Sequence, residues 1–171
     1  IIRAYDRLLH WLRSNTKSGS RKNISYIYDL GNDFYSLWLD ETMTYSSALY
    51  SGQGETLAQA QQIKYASMCV RMGVDRDNHV LEIGCGWCGF AEYAIRERGA
   101  RVTGLTLSKE QLDFAKKRLF EAGLAERADI VMRDYRDETG KYDGIASIEM
   151  FEAVGEKYWP TYFQAVYDRL K

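Results

Sequence analysis

Ile2, Tyr5, Leu8, Leu9 and Leu12 recur at helical spacing, with Arg3, Arg7 and Arg13 elsewhere around the wheel. Residues 2–14 therefore predict an amphipathic helix with a basic side. It reads either as a helix docked on the next domain or, with Trp11, Lys17, Arg21 and Lys22, as a helix lying on a membrane surface. The polar stretch 14–20, with one glycine, reads as a linker. Residues 24–50 are dense in aromatics (Tyr26, Tyr28, Phe34, Tyr35, Trp38, Tyr45, Tyr50), with helix predicted over 24–28 and 32–39. A longer helix is predicted over 56–72, ended by Gly73.

From residue 79 the period changes. His79–Ile83, Arg101–Leu105, Ala128–Met132 and Tyr142–Ile148 read as strands. Between them, helices are predicted over 88–98, closed by Gly99, and over 108–122, opened by a Ser108-x-x-Gln111 capping box and closed by Gly123. A last helix covers 156–170, with Tyr158, Trp159, Tyr162 and Phe163 expected to bury against the sheet. Strand–helix alternation at this spacing predicts an α/β fold with a parallel sheet. The organisation expected is a helix and linker (1–22), a helical lid or substrate segment (23–74) and an α/β core (75–171).

Composition narrows the class. The chain has 171 residues, 46% hydrophobic and 27% charged, with a net charge of -1. That excludes a disordered tail and gives no support to a nucleic-acid binder. No apolar run is long enough to span a membrane. Three cysteines (Cys69, Cys85, Cys88) and no signal-peptide pattern point to a reducing cytoplasm. Cys69, inside a helix, reads as a core residue. A chain that starts at Ile1 and stops at the end of a helix reads as cut at both ends.

Strand 79–83 runs into Gly84-Cys-Gly86-Trp-Cys-Gly89, a Gly-x-Gly-x-x-Gly loop between a strand and a helix. Such a loop lets a ligand approach the backbone beside free N–H groups. A dinucleotide would need an acid at the end of the second strand, yet Gly104-Leu-Thr-Leu-Ser108 has none, which counts against NAD. An adenosyl ligand without pyrophosphate suits the loop better, with Thr106, Ser108 or Gln111 on the ribose. The same residues contain Cys85-Gly-Trp-Cys88, a thioredoxin-like spacing in which the helix N-terminus would lower a thiol pKa. That reading lacks the facing proline it needs, since Pro160 is on the last helix. His10 and His79 have no ligand spacing with the cysteines, so no metal site is expected.

Four blocks carry a resemblance: Tyr28-Asp-Leu-Gly-Asn-Asp-Phe-Tyr35, Met43-Thr-Tyr-Ser-Ser-Ala-Leu-Tyr50, Leu81-Glu-Ile-Gly-Cys-Gly-Trp87 with Gly104-Leu-Thr-Leu-Ser108, and Ser147-Ile-Glu-Met-Phe-Glu-Ala-Val-Gly155. From about residue 20 onwards the sequence resembles the cyclopropane-fatty-acyl-phospholipid synthases, S-adenosylmethionine-dependent methyltransferases that include the mycolic acid cyclopropane synthases. The resemblance implies a Rossmann-like methyltransferase fold, here stopping after its fourth strand, behind an N-terminal helical segment. It implies cofactor contacts from Tyr45, Ser46, Gly84, Cys85, Gly86, Thr106, Leu107, Ser108, Gln111, Asp134, Tyr135 and Arg136, with Tyr135 over the adenine. It also implies a bicarbonate ion held by Glu152 and by backbone near Ser47 and Ile148.

The chain departs from the pattern at several positions. Cys88 and Glu149 each stand where the family has glycine, Ser47 where many members have cysteine, Ile27 for a histidine, and Ala153 for the histidine after the glutamate. Cys88 either crowds the methionine part of the cofactor or points into helix packing. Glu149 either adds negative potential near the sulfonium or is a solvated residue.

The implied chemistry starts from a cis double bond in a phospholipid acyl chain. The alkene attacks the electrophilic methyl group, leaving a carbocation; bicarbonate, oriented by Glu152, removes a proton and a cyclopropane ring closes. Methylation without ring closure, or an inactive homologue, are the alternatives. Expected partners are the unsaturated phospholipid and the inner membrane face, contacted peripherally by the N-terminal helix and segment 24–50. A fourth strand left as a bare edge makes a homodimer a further expectation.

Overall fold

The computed structural model describes residues 16, 19, 31–52 and 54–171. The helix expected over 2–14, most of the linker 14–20 and the segment 24–28 lie outside the described residues.

Helix α1 (Gly31–Ser36) leads into a loop and then helix α2 (Leu57–Met72). Thr56 caps α2: its Oγ1 accepts from the Gln59 N–H, and the Gln59 side chain accepts from the Thr56 N–H. Gly73 closes α2 in the left-handed conformation. The core follows as β1 (His79–Ile83), α3 (Gly89–Arg98), β2 (Arg101–Thr106), α4 (Lys109–Glu121), β3 (Ala128–Met132), β4 (Gly144–Ala146) and α5 (Trp159–Arg169).

The four strands are parallel in the order β3-β2-β1-β4, with Leu81 between Thr103 and Ile145. The order reverses at β1. A crevice therefore opens at the carboxyl ends of β1 and β4, where open α/β sheets bind ligands.

Alternation along β1 and β2 feeds two apolar layers. Val80, Val102 and Ile130 pack with Tyr65, Cys69, Phe90, Ile95 and Leu119 from α2, α3 and α4. Leu81, Ile83 and Leu105 face the other way, onto Tyr142, Val154 and Tyr162. Cys69 is a fully buried core residue, as expected. Burying a side chain the size of Leu81 or Val80 contributes about 1.5–3 kcal/mol.

Helix α1 stops at Ser36, short of the expected residue 39, and three further elements differ from the sequence reading. β4 keeps only Gly144–Ala146 of the expected 142–148. At its start, Tyr142 pairs outward instead: its N–H donates to Arg169 O and its carbonyl accepts from Lys171 N, forming a parallel bridge with Leu170. The expected bare edge is thus bridged at one point. At its end, Ser147 and Ile148 leave the sheet where β1 also stops. Secondly, the Ser108 box forms by half: Ser108 Oγ accepts from Gln111 N, but Gln111 Oε1 accepts from Thr106 Oγ1 instead of reaching back. Thirdly, the last helix begins as a 3-10 turn (Glu156–Tyr158) and buries Tyr162, while Trp159 and Phe163 remain exposed.

Candidate cofactor and methyl-transfer site

The loop after β1 is pinned to β2, since Gly84 N and Cys85 N both donate to Leu105 O. Gly86 has a φ of +53° and, among the described residues, nothing within 4 Å of where a Cβ would stand, so its backbone is open to a ligand. Gly89 is glycine for a different reason. A Cβ there would lie 2.5 Å from Tyr65 Oη and 3.0 Å from Thr44 Oγ1. Tyr65 Oη and Thr44 Oγ1 are themselves 2.6 Å apart, and Thr44 continues to Thr42 and Asp40. The first turn of α3 therefore docks against a chain of hydroxyls.

A cavity of about 300 Å³ opens over this loop. The glycine loop forms its floor through Gly84, Cys85 and Gly86, and Thr106, Leu107 and Gln111 form the β2 side. Asp134, Tyr135 and Arg136 line a third side. There the Asp134 carboxylate accepts from Arg136 N, Nε and Nη2, and Tyr135 stacks edge-on against Tyr162 at 5.4 Å. Tyr45 and Ser46 enter from the loop before α2, and Ile148 and Glu149 from the loop after β4.

Two ionisable groups are strongly perturbed. Glu82 lines the cavity, is buried, and its Oε2 has no hydrogen-bond partner among the described residues. Burial pushes its carboxyl up to about 8, only partly opposed by the Ala91 N–H and by Arg118 and Lys64. Lys64, half-buried on α2, is pushed down to about 8 by desolvation against the pull of Glu149, Asp40 and Glu82. Its Nζ donates to Ser46 Oγ (2.6 Å) and Ser47 O (2.8 Å), and Gln61 Nε2 donates to Ser46 O (2.8 Å). These contacts hold the Tyr45–Ser47 loop over the crevice.

Most residues singled out in the sequence meet at this cavity. Ser47 is joined to it through Glu149, whose Oε1 accepts from both Ser47 N–H (2.8 Å) and Ser47 Oγ. Ser108 lies behind the wall as the buried cap of α4. Glu152 is not brought to the cavity: it is exposed on the turn Phe151–Ala153, while Ala153 and Val154 line the wall. Cys88 is fully buried in the core with a φ of +64° and does not line the cavity, so it points into helix packing. A hydrogen bond with Cys85 and burial push the Cys88 thiol well up, opposite to the lowering that a redox site needs. Among the described residues no cluster of His, Cys, Asp and Glu could hold a metal.

Glu82, Lys64 and Gln61 were missed as site residues. A lone carboxylate inside the apolar strand His-Val-Leu-Glu-Ile was a usable signal for Glu82. Nothing in the sequence of α2 marks Lys64 or Gln61.

The residues fit S-adenosylmethionine. The open Gly86 backbone suits the amino-acid part, and the buried Glu82 Oε2, without a partner among the described residues, is an acceptor on the same cavity, suited to a cationic ligand. Bicarbonate fits less well. The Ser47 N–H it would use already has an acceptor in Glu149, and Glu152 lies outside the cavity.

Comparison with known proteins agrees on the class. The mycolic acid cyclopropane synthase CmaA1, solved complexed with SAH and CTAB, superposes with a TM-score of 0.84 at 28% identity, over 88% of this chain and 53% of that one. The fold is that of the S-adenosylmethionine-dependent methyltransferases. The mycolic acid cyclopropane synthetase family matches residues 15–171, and the chain belongs to that family. A probable fatty acid methyltransferase of Pseudomonas putida is 40% identical over 161 residues, 93% of this chain and 41% of that protein. The cyclopropane-fatty-acyl-phospholipid synthase of Escherichia coli K12 is 42% identical over 144 residues, 84% of this chain and 36% of that protein. The chain thus spans less than half the length of either relative.

Proposed function

We propose that this chain carries the cofactor half of an enzyme that transfers a one-carbon unit from S-adenosylmethionine to the cis double bond of an unsaturated phospholipid acyl chain. The observation that carries this reading is the cavity at the β1–β4 switch point, which joins the open Gly86 backbone and the buried Glu82 carboxylate to an apolar rim. When bound, the cofactor supplies an electrophilic methyl group. The protein's part is to hold and shield it. Glu82 offers an oxygen to positive charge, Thr106 and Gln111 offer hydroxyl and amide groups to a ribose, and Tyr135 covers an adenine. Ser46, held by Gln61 and Lys64, and Tyr45 beside it would shield a bound cofactor from water.

Lipid access follows from the surface near α1. Leu37 is 82% exposed, and Trp38 and Tyr45 are more than half exposed, beside the Tyr45–Ser47 loop. Aromatic and aliphatic side chains grouped at a cavity mouth suit a peripheral position on a bilayer, here the cytoplasmic leaflet. No helix among the described residues is long and apolar enough to cross a membrane.

Ring closure, with a cyclopropane as product, is the reading the family supports. The Pseudomonas relative, named a fatty acid methyltransferase and matched over more of this chain, favours a second reading, methylation without ring closure. Incubating the protein with methyl-labelled S-adenosylmethionine and vesicles of monounsaturated phosphatidylglycerol tests both. Label in a cyclopropane acyl chain supports the first reading, label in a branched chain the second, and unlabelled lipid contradicts both.

A further inference from the structure

One carboxylate at the cavity has an unusual backbone. Glu149 has a φ of +47°, a conformation that costs a non-glycine residue about 1–2 kcal/mol. Strain of this kind persists where surrounding contacts enforce it, and it clusters at functional sites. The contacts here are specific. Glu149 Oε1 takes both the N–H and the Oγ–H of Ser47, a residue 102 positions away and next in sequence to the cavity-lining Ser46. Lys64 bonds the carbonyl of the same Ser47, so a cation braces the pair from behind. Glu149 lines the cavity from an exposed position on the loop after β4.

We propose that Glu149 is the base of the one-carbon transfer in this protein, a built-in carboxylate standing on the donor that a free bicarbonate ion would otherwise occupy. The inference rests on the function proposed above. Once the alkene has taken the methyl carbon, the substrate is a carbocation and must lose a proton. Glu149 Oε2 accepts that proton. The C–H electron pair becomes the new carbon–carbon bond, in a ring or a double bond, and the proton passes to water at the rim. No oxidant or reductant is needed. The two Ser47 donors hold the Glu149 carboxyl below the usual carboxylate range. It is thus ionised at neutral pH, and a carbocation is acidic enough to protonate a weak base. A second anion would meet an occupied donor and a like charge.

The test begins with S-adenosylhomocysteine binding to the wild type; its absence would overturn the cofactor reading itself. On the saturated protein, the line width of carbon-13 bicarbonate reports anion binding. No broadening is expected with wild type, and broadening with Glu149→Gly, which suits the positive φ and frees Ser47 N–H. Broadening by wild type, or none by the Gly variant, overturns the proposal. Glu149→Gln keeps an oxygen for Ser47 but accepts no proton. It should retain S-adenosylhomocysteine affinity and lose about 100-fold or more in turnover, while wild-type turnover persists in carbonate-free buffer. A Gln variant that keeps most of the rate, or a wild type that stops without bicarbonate, overturns it as well.

Discussion

Glu82 shows how one residue couples folding, charge and binding. Its carboxyl is raised to about 8, so the folded protein keeps a proton that the unfolded chain has released. Stability should therefore fall as pH rises from the ordinary carboxylate range through about 8, and level off above it. Glu82→Gln is expected to flatten that fall in a thermal-denaturation series; an unchanged pH profile would contradict it. A cation bound beside Oε2 favours the ionised form. S-adenosylmethionine binding near neutral pH should then release a proton, seen as a dependence of the calorimetric heat on buffer ionisation enthalpy, and the Gln variant should show none. Cys88 makes the opposite case, a residue beside the site that does not enter it. Its left-handed backbone costs about 1 kcal/mol against glycine, and its buried side chain offsets a similar amount. Cys88→Gly should leave stability within about 1 kcal/mol and S-adenosylhomocysteine affinity unchanged. Lost affinity would mean that the thiol shapes the loop.

Elements were legible in the sequence where period and punctuation agreed. β1 and β3 match residue for residue, because each is a short apolar run bounded by polar and glycine positions. α2 and α3 end where Gly73 and Gly99 take positive φ. β4 was overread because Tyr142 and Ile148 look strand-like in isolation, yet one pairs outward and the other turns over the cavity. α5 was misjudged because amphipathic spacing reveals a face without revealing what covers it, and Trp159 and Phe163 remain exposed. The docking of α3 onto α2 depends on contacts distant in sequence, and it is testable. Gly89→Ala places a methyl group on Tyr65 Oη and should destabilise the fold by about 1–3 kcal/mol in denaturant titrations. Tyr65→Phe removes that oxygen and should recover part of the loss in the double variant. If the two losses simply add, the close approach is not the cause.

In the whole molecule, the site lies where the topology requires it. β1 sits between β2 and β4, the strand order reverses across the sheet, and five separate stretches of sequence meet above one strand end. The glycine loop was legible as a compact local motif, whereas the Tyr45–Ser46 turn and the Asp134–Arg136 wall were legible only through the family resemblance. The Lys64 clamp and the Glu149–Ser47 bridge were not, since each joins residues from separate elements and only the folded chain brings them together. The most direct test of the site is a calorimetric titration with S-adenosylhomocysteine under reducing conditions, on the wild type and on Gly86→Val. A single site in the wild type, abolished by a side chain grown into the open space at Gly86, is expected. No binding by the wild type, or binding that survives at full strength in the variant, would contradict the placement of the cofactor on this loop.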